Sequence, residues 1–120
     1  MRTWYSLAWL ALSAIASVNV HAHSYLVSSE PPANATISHV PREVRLRFSE
    51  ALEPEFVSAT VERDDKPLEP PPAPALDKDG KTMRLALPTG GAGAYSVVWS
   101  IVAKDGHRTK GRIDFRIKPR

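Results

Sequence analysis

Three histidines and one aspartate carry most of the chemistry that this sequence can offer. His21 and His23 stand one residue apart in VNVHAHSYLV (residues 18–27), and Asp105-Gly106-His107 forms part of a KDGH turn near the C-terminus. A histidine that begins a chain has a free α-amino group beside its imidazole, and the two nitrogens can grip one metal ion as a chelate. The amine has a reference pKa of about 7.7–8.0 and loses its proton when a strong Lewis acid competes for it. Any residue in front turns that amine into an amide and abolishes the chelate. Asp105 and His107 are two apart, so in an extended segment they point to one side. Gly106 leaves room between them and permits an unusual backbone angle. If the first strand lies beside this turn, an amine, two imidazoles and a carboxylate meet. That N₃O set without sulfur suits tetragonal Cu(II) or Ni(II), and the Irving–Williams order favours copper over nickel and zinc. A DGH tripeptide alone is also ordinary turn chemistry, and an N-terminal histidine alone means little. Only the combination singles out a metal.

Whether His23 begins a chain depends on the first twenty-two residues. Arg2 is the only charge before His21, and residues 4–16 (WYSLAWLALSAIA) form a short apolar block. A basic start followed by an apolar stretch of about 7–15 residues is the pattern of a secretory signal. A spanning helix needs about 20 apolar residues. Small residues in the last and third-last positions mark the cut. Ala14-Ile15-Ala16 fits, but Val20-His21-Ala22 leaves a polar segment, SVNVHA, before the cut and is preferred. The expected organisation is a cleaved signal over 1–22 and one domain over 23–120. His21 is then discarded and His23 leads a chain of 98 residues with 15 basic and 13 acidic side chains. No run of like charges exceeds three residues, so no basic stripe suggests nucleic acid. The chain contains no cysteine. Zinc-thiolate, iron–sulfur and blue-copper sites are thereby excluded, and packing alone must stabilise the core.

The elements that must position these residues are strands. Val44-Arg45-Leu46-Arg47-Phe48 alternates apolar and charged residues, the period of a strand with one wet face. The same period runs through residues 57–62, 83–87 and 112–118, and SYLVSS after His23 adds a further strand. In residues 94–103, Tyr95, Val97 and Trp99 share one face while Val98 is apolar on the other, which predicts a strand buried on both sides. Turn residues punctuate the strands at PPAN (31–34), EPEF (53–56), DKDG (77–80), TGGAG (89–93) and KDGH (104–107). The segment KPLEPPPAPAL (66–76) holds five of the eleven prolines and is expected to cross between sheets as an extended loop. Short strands without a helical pattern predict an all-β Greek-key sandwich, cupredoxin- or Ig-like, of about seven strands. His39 reads as a surface residue, and Met83, Tyr95 and Trp99 as core. Asn34-Ala35-Thr36 fits a glycosylation acceptor in a host that glycosylates, and is otherwise part of a turn.

The chain resembles the CopC family of periplasmic copper-binding proteins. The resemblance runs through HSYLVSS, EPPAN, VRLRFSE and KTMRLAL, and closes with YSVVWSIVAKDGHRTKGRIDFRI. The last block is the most specific, because it fixes aromatic, ligand and glycine spacing together. The resemblance implies a cupredoxin-like sandwich with one Cu(II), held by the His23 amine and imidazole, Asp105 and His107. It also implies that Glu50, in the FSE motif, lies beside the metal and orients a ligand by hydrogen bonding. The implied role is a periplasmic, monomeric copper buffer or carrier, not an enzyme, served by a CopD-like inner-membrane transporter. Some family members carry a methionine-rich segment for Cu(I). Here only Met1 and Met83 occur, so a second, cuprous site is not expected.

Two other classes compete. A copper held by an N-terminal histidine and a second histidine resembles the brace of lytic polysaccharide monooxygenases. Against it, a carboxylate in the plane removes the open position that oxygen chemistry needs. A metal-free Ig-like binding module fits the fold but leaves His23, Asp105 and His107 unexplained.

Overall fold

The computed structural model describes residues 24–87 and 91–120. The expected signal, residues 1–22, and the expected ligand His23 lie outside the described residues. Nine strands form two sheets among them. They are β1 (Leu26–Glu30), β2 (Thr36–Ile37), β3 (Glu43–Phe48), β4 (Ser58–Arg63), β5 (Lys66–Pro67), β6 (Ala75–Leu76), β7 (Thr82–Ala86), β8 (Gly93–Val102) and β9 (Arg108–Ile117). One sheet has the order β1-β3-β7-β6, the other β2-β9-β8-β4-β5. The all-β sandwich is as expected, and the six strands of five residues or more are those the alternation marks. The additional strands β2, β5 and β6 are two-residue edge pieces, too short to show a period.

The alternation explains the layering. Val44, Leu46 and Phe48 of β3 are buried while Arg45 and Arg47 face water. Val97, Trp99 and Ile101 of β8 and Ile113, Phe115 and Ile117 of β9 meet them from the other sheet. Fully burying one such side chain contributes roughly 1.5–3 kcal/mol. Met83 is wholly buried, and Tyr95 and Trp99 are core aromatics, as the sequence predicts. Tyr95 stacks on Phe115, and Trp99 meets Phe48 of the opposite sheet edge-on at 5.0 Å. The proline-rich segment runs from β5 to β6, from the edge of one sheet to the edge of the other.

Two expectations need correction. β8 lies third of five strands, but only one of its faces is covered: Val98 is 40% exposed. An apolar residue on each face does not imply two buried faces, since single exposed valines are common. The second concerns charge. Arg108, Lys110, Arg112, Arg116 and Lys118 all stand exposed on the outer face of β9. Counting contiguous runs misses this stripe, because a strand gathers every second residue onto one face.

Candidate metal centre

The β8–β9 hairpin pairs ten residues on each side, from Gly93↔Ile117 to Val102↔Arg108. It ends in a five-residue loop, Ala103 to His107. Ala103 and His107 close the loop through Ala103 N–H to His107 O (3.1 Å), and Gly106 N–H reaches Ala103 O (2.9 Å). Gly106 has φ +88°, a conformation that other residues enter at a cost, so the glycine expected for room serves mainly for backbone angle.

Within the loop Asp105 and His107 face each other. Asp105 Oδ1 accepts a hydrogen bond from the His107 backbone N–H (2.9 Å), which fixes the carboxylate, and Oδ2 lies 3.2 Å from His107 Nδ1. A divalent ion takes imidazole nitrogen and carboxylate oxygen at about 2.0–2.2 Å, so two such donors lie roughly 2.8–3.1 Å apart at right angles and roughly 3.3–3.6 Å apart on a tetrahedral ion such as zinc. The observed separation is within a few tenths of an ångström of either spacing. The pair fits two adjacent positions on one ion.

The start of the described chain is held at the same end. Tyr25 N–H donates to Ser49 Oγ (3.0 Å), and Ser49 N–H donates to Tyr25 O (2.9 Å). Two residues on, Lys104 N–H donates to Ala51 O (3.0 Å), and Glu53 N–H donates to Val102 O (2.8 Å). Leu52 forms a β-bridge with Ala103. Residues 49–53 therefore tie the beginning of the domain to the loop that carries Asp105 and His107. Ser24 is wholly buried, so the chain sits at full depth immediately after His23.

Asp105 and His107 are thus brought together. Glu50 lies in the connecting segment beside Ala51 and is exposed. Among the described residues no group of three or more His, Cys, Asp or Glu side chains is gathered around one point. His39 follows β2, which pairs with the far end of β9 (Thr36↔Arg116, Ile37↔Ile117), and is exposed. The length of β9 separates it from His107, roughly 30 Å at about 3.3 Å per residue. Ser49 is the residue that sequence reasoning passes over. Its signal is a serine just beyond a strand end, where a short hydroxyl readily bonds backbone groups.

Fold and site define a small two-sheet β-sandwich with an imidazole–carboxylate pair on the hairpin at one end. Residues 26–118 match the family model described as the CopC domain. The chain belongs to the CopC family. It is 34% identical over 116 residues to protein YobA of Escherichia coli K12, covering 95% of this chain and 93% of that protein. It is 33% identical over 117 residues to copper resistance protein C of Xanthomonas campestris pv. juglandis, covering 91% of each. The crystal structure of PcoC, a methionine-rich copper resistance protein from Escherichia coli, superposes with a TM-score of 0.68 at 32% identity. That match covers 81% of this chain and 100% of PcoC. Two of these three names state a property, and in both it is copper resistance. PcoC's methionine richness is absent here: the single methionine among the described residues, Met83, is packed between the sheets.

Proposed function

We propose that this protein binds one Cu(II) ion and acts as a copper buffer or carrier, not an enzyme. The ligands are the α-amine and imidazole of His23, the Asp105 carboxylate and the His107 imidazole, and Glu50 orients a ligand from outside that set. Residues 1–22 are a signal peptide, export to the periplasm exposes the His23 amine, and copper passes to or from a CopD-like inner-membrane transporter. The protein works as a monomer.

One observation supports this reading above the rest: the 3.2 Å approach of Asp105 Oδ2 to His107 Nδ1, on a hairpin loop tied through residues 49–53 to the start of the domain. A site that takes most of its donors from nitrogen and oxygen and closes around the ion binds firmly and reacts little, which suits storage and delivery. The names of relatives point the same way.

The test compares two preparations, one beginning at His23 and one with a single extra residue in front. Each is titrated with Cu(II) against a competing chelator and followed by electron paramagnetic resonance. The expected result is one tight, nitrogen-rich tetragonal site in the first preparation only. Equal binding by both would remove the amine from the site and sink the assignment.

A further inference from the structure

The outer face of β9 carries Arg108, Lys110, Arg112, Arg116 and Lys118, interrupted only by Asp114. Register places Ser100 beside Lys110, Val98 beside Arg112 and Ser96 beside Asp114 on the neighbouring strand β8. Next to them on β4 stand Ser58, Thr60 and Glu62. Arg112 is partly neutralised, since its Nε lies 2.9 Å from Asp114 Oδ1. Arg108 is held flat against the sheet by Ser100 Oγ at 3.0 Å. Cations two residues apart on a strand are about 6.6–6.8 Å apart, so the row extends close to 30 Å.

The imbalance belongs to this face. Residues 108–120 hold six basic and one acidic side chain, whereas residues 24–107 hold nine basic and twelve acidic. The last strand and the tail after it are therefore cationic and the rest of the domain net anionic, with Glu62 and Asp65 within electrostatic reach of Arg112. Edge protection alone does not account for it. Much of β9 is an open edge, since β2 pairs only with Arg116 and Ile117, and charged side chains on an edge deter pairing with another chain. One or two charges of either sign would do that, without five of one sign.

Only Arg112 and Arg116 share a recess, which Asp65 and Asp114 also line, so its charge is largely balanced and one small anion would leave Arg108, Lys110 and Lys118 unused. The row stands on the face of the sheet rather than along its free edge, with Val98, Thr60 and Ser58 exposed beside it. A long row of positive charge on an open face matches an extended negative plane. We propose that this face docks the domain onto an anionic phospholipid surface, with the metal-site hairpin at one end of the contact. The face is independent of the copper assignment and is present whether or not a metal is bound. Each Lys or Arg brought near an anionic bilayer raises the affinity roughly five-fold, and salt weakens the effect.

Among the described residues every strand pairing lies within residues 24–120, and the chain beginning at His23, as in the proposed function, is the protein to test. It is sedimented, without metal, with vesicles of phosphatidylcholine alone and with about 30% phosphatidylglycerol, at about 0.05 M and 0.5 M salt. The expected result is binding to the anionic vesicles only, lost at the higher salt. Lys110→Glu with Lys118→Glu should lower the bound-to-free ratio at least about ten-fold. Arg42→Glu with Lys78→Glu, which changes net charge equally on the other sheet's connections, should lower it no more than about two-fold. Circular dichroism confirms that both variants keep the sheet. Equal loss in the two variants would reduce the effect to net charge and overturn the proposal. Equal affinity for both vesicle types, no vesicle binding, or binding to polyglutamate but not to anionic vesicles would also overturn it.

Discussion

Trp99 lies across Gly111, its directly paired neighbour on β9, so closely that a Cβ on residue 111 would overlap the indole ring. The ring then meets Phe48 of the opposite sheet edge-on. The spacing that joins tryptophan, DGH and glycine in the sequence thus has a packing cause as well as a chemical one. The hairpin that holds Asp105 and His107 is pinned at Gly111, four residues beyond His107.

Replacing Gly111 by alanine should force the indole to move. Overpacking of this kind typically costs about 1–3 kcal/mol, to be measured by urea denaturation. Valine should cost more. Wild-type stability in the alanine variant would mean that the Trp99 ring shifts freely, contrary to its tight packing.

Gly106 should resist substitution for a different reason. Its Cβ would meet nothing within 4 Å, so space is not the constraint; φ +88° is. Alanine should lose roughly 1–2 kcal/mol, and asparagine, which tolerates left-handed angles, less. Thermal denaturation of both variants checks the order.

The proposed ligands can be separated from the bystander. Asp105→Ala and His107→Ala should each weaken Cu(II) binding by at least about 100-fold, the upper end of what loss of a ligand's supporting partner costs. His39→Ala, at the other end of the sandwich, should leave it within about two-fold. Competition titration reads all three. An equal loss at His39 would contradict the site.

Asp114 gives a pH test. Hydrogen bonds from Ser96 and from Arg112, together with the Arg112 charge, hold its carboxyl below the usual value of 3.8. A carboxyl depressed in the folded state contributes stability above its unfolded pKa and loses it as pH falls through the folded value. Asp114→Asn should therefore lower stability near neutrality and converge with wild type as pH falls through the folded-state value, below 3.8. The side chain is 54% exposed, so the gap should be small and shrink in high salt. A gap that persists in strong acid would rule out the charge as its origin.

Strand period made the sandwich legible, because Val44, Leu46 and Phe48 and their counterparts announce one buried face each. Asp105 and His107 were legible because they are neighbours in sequence and the turn itself brings them together. The closure of β4 and β5 was not. Asp64 and Asp65 make that two-residue turn with φ +51° and +64°, where glycine or asparagine is the usual signal. Nor was the role of Ser49, whose partner Tyr25 lies 24 residues away. Contacts at such range depend on how the sheets assemble, which no local pattern records. The basic row on β9 was in plain sight, but only a face-by-face reading of alternate residues reveals it.

The domain's first strand and the hairpin that carries Asp105 and His107 belong to different sheets, β1 to the four-stranded layer and β8–β9 to the five-stranded one. An ion held between His23 and the hairpin, as proposed, would be a clasp across the open end of the sandwich. Loading and mechanical cohesion would then be one equilibrium. Ligand binding to the folded state stabilises it in proportion to the logarithm of ligand concentration over Kd, so a filled domain would resist parting of its layers and an emptied one would yield sooner. A recipient that pries the layers apart at this end would weaken the hold on the ion without touching it.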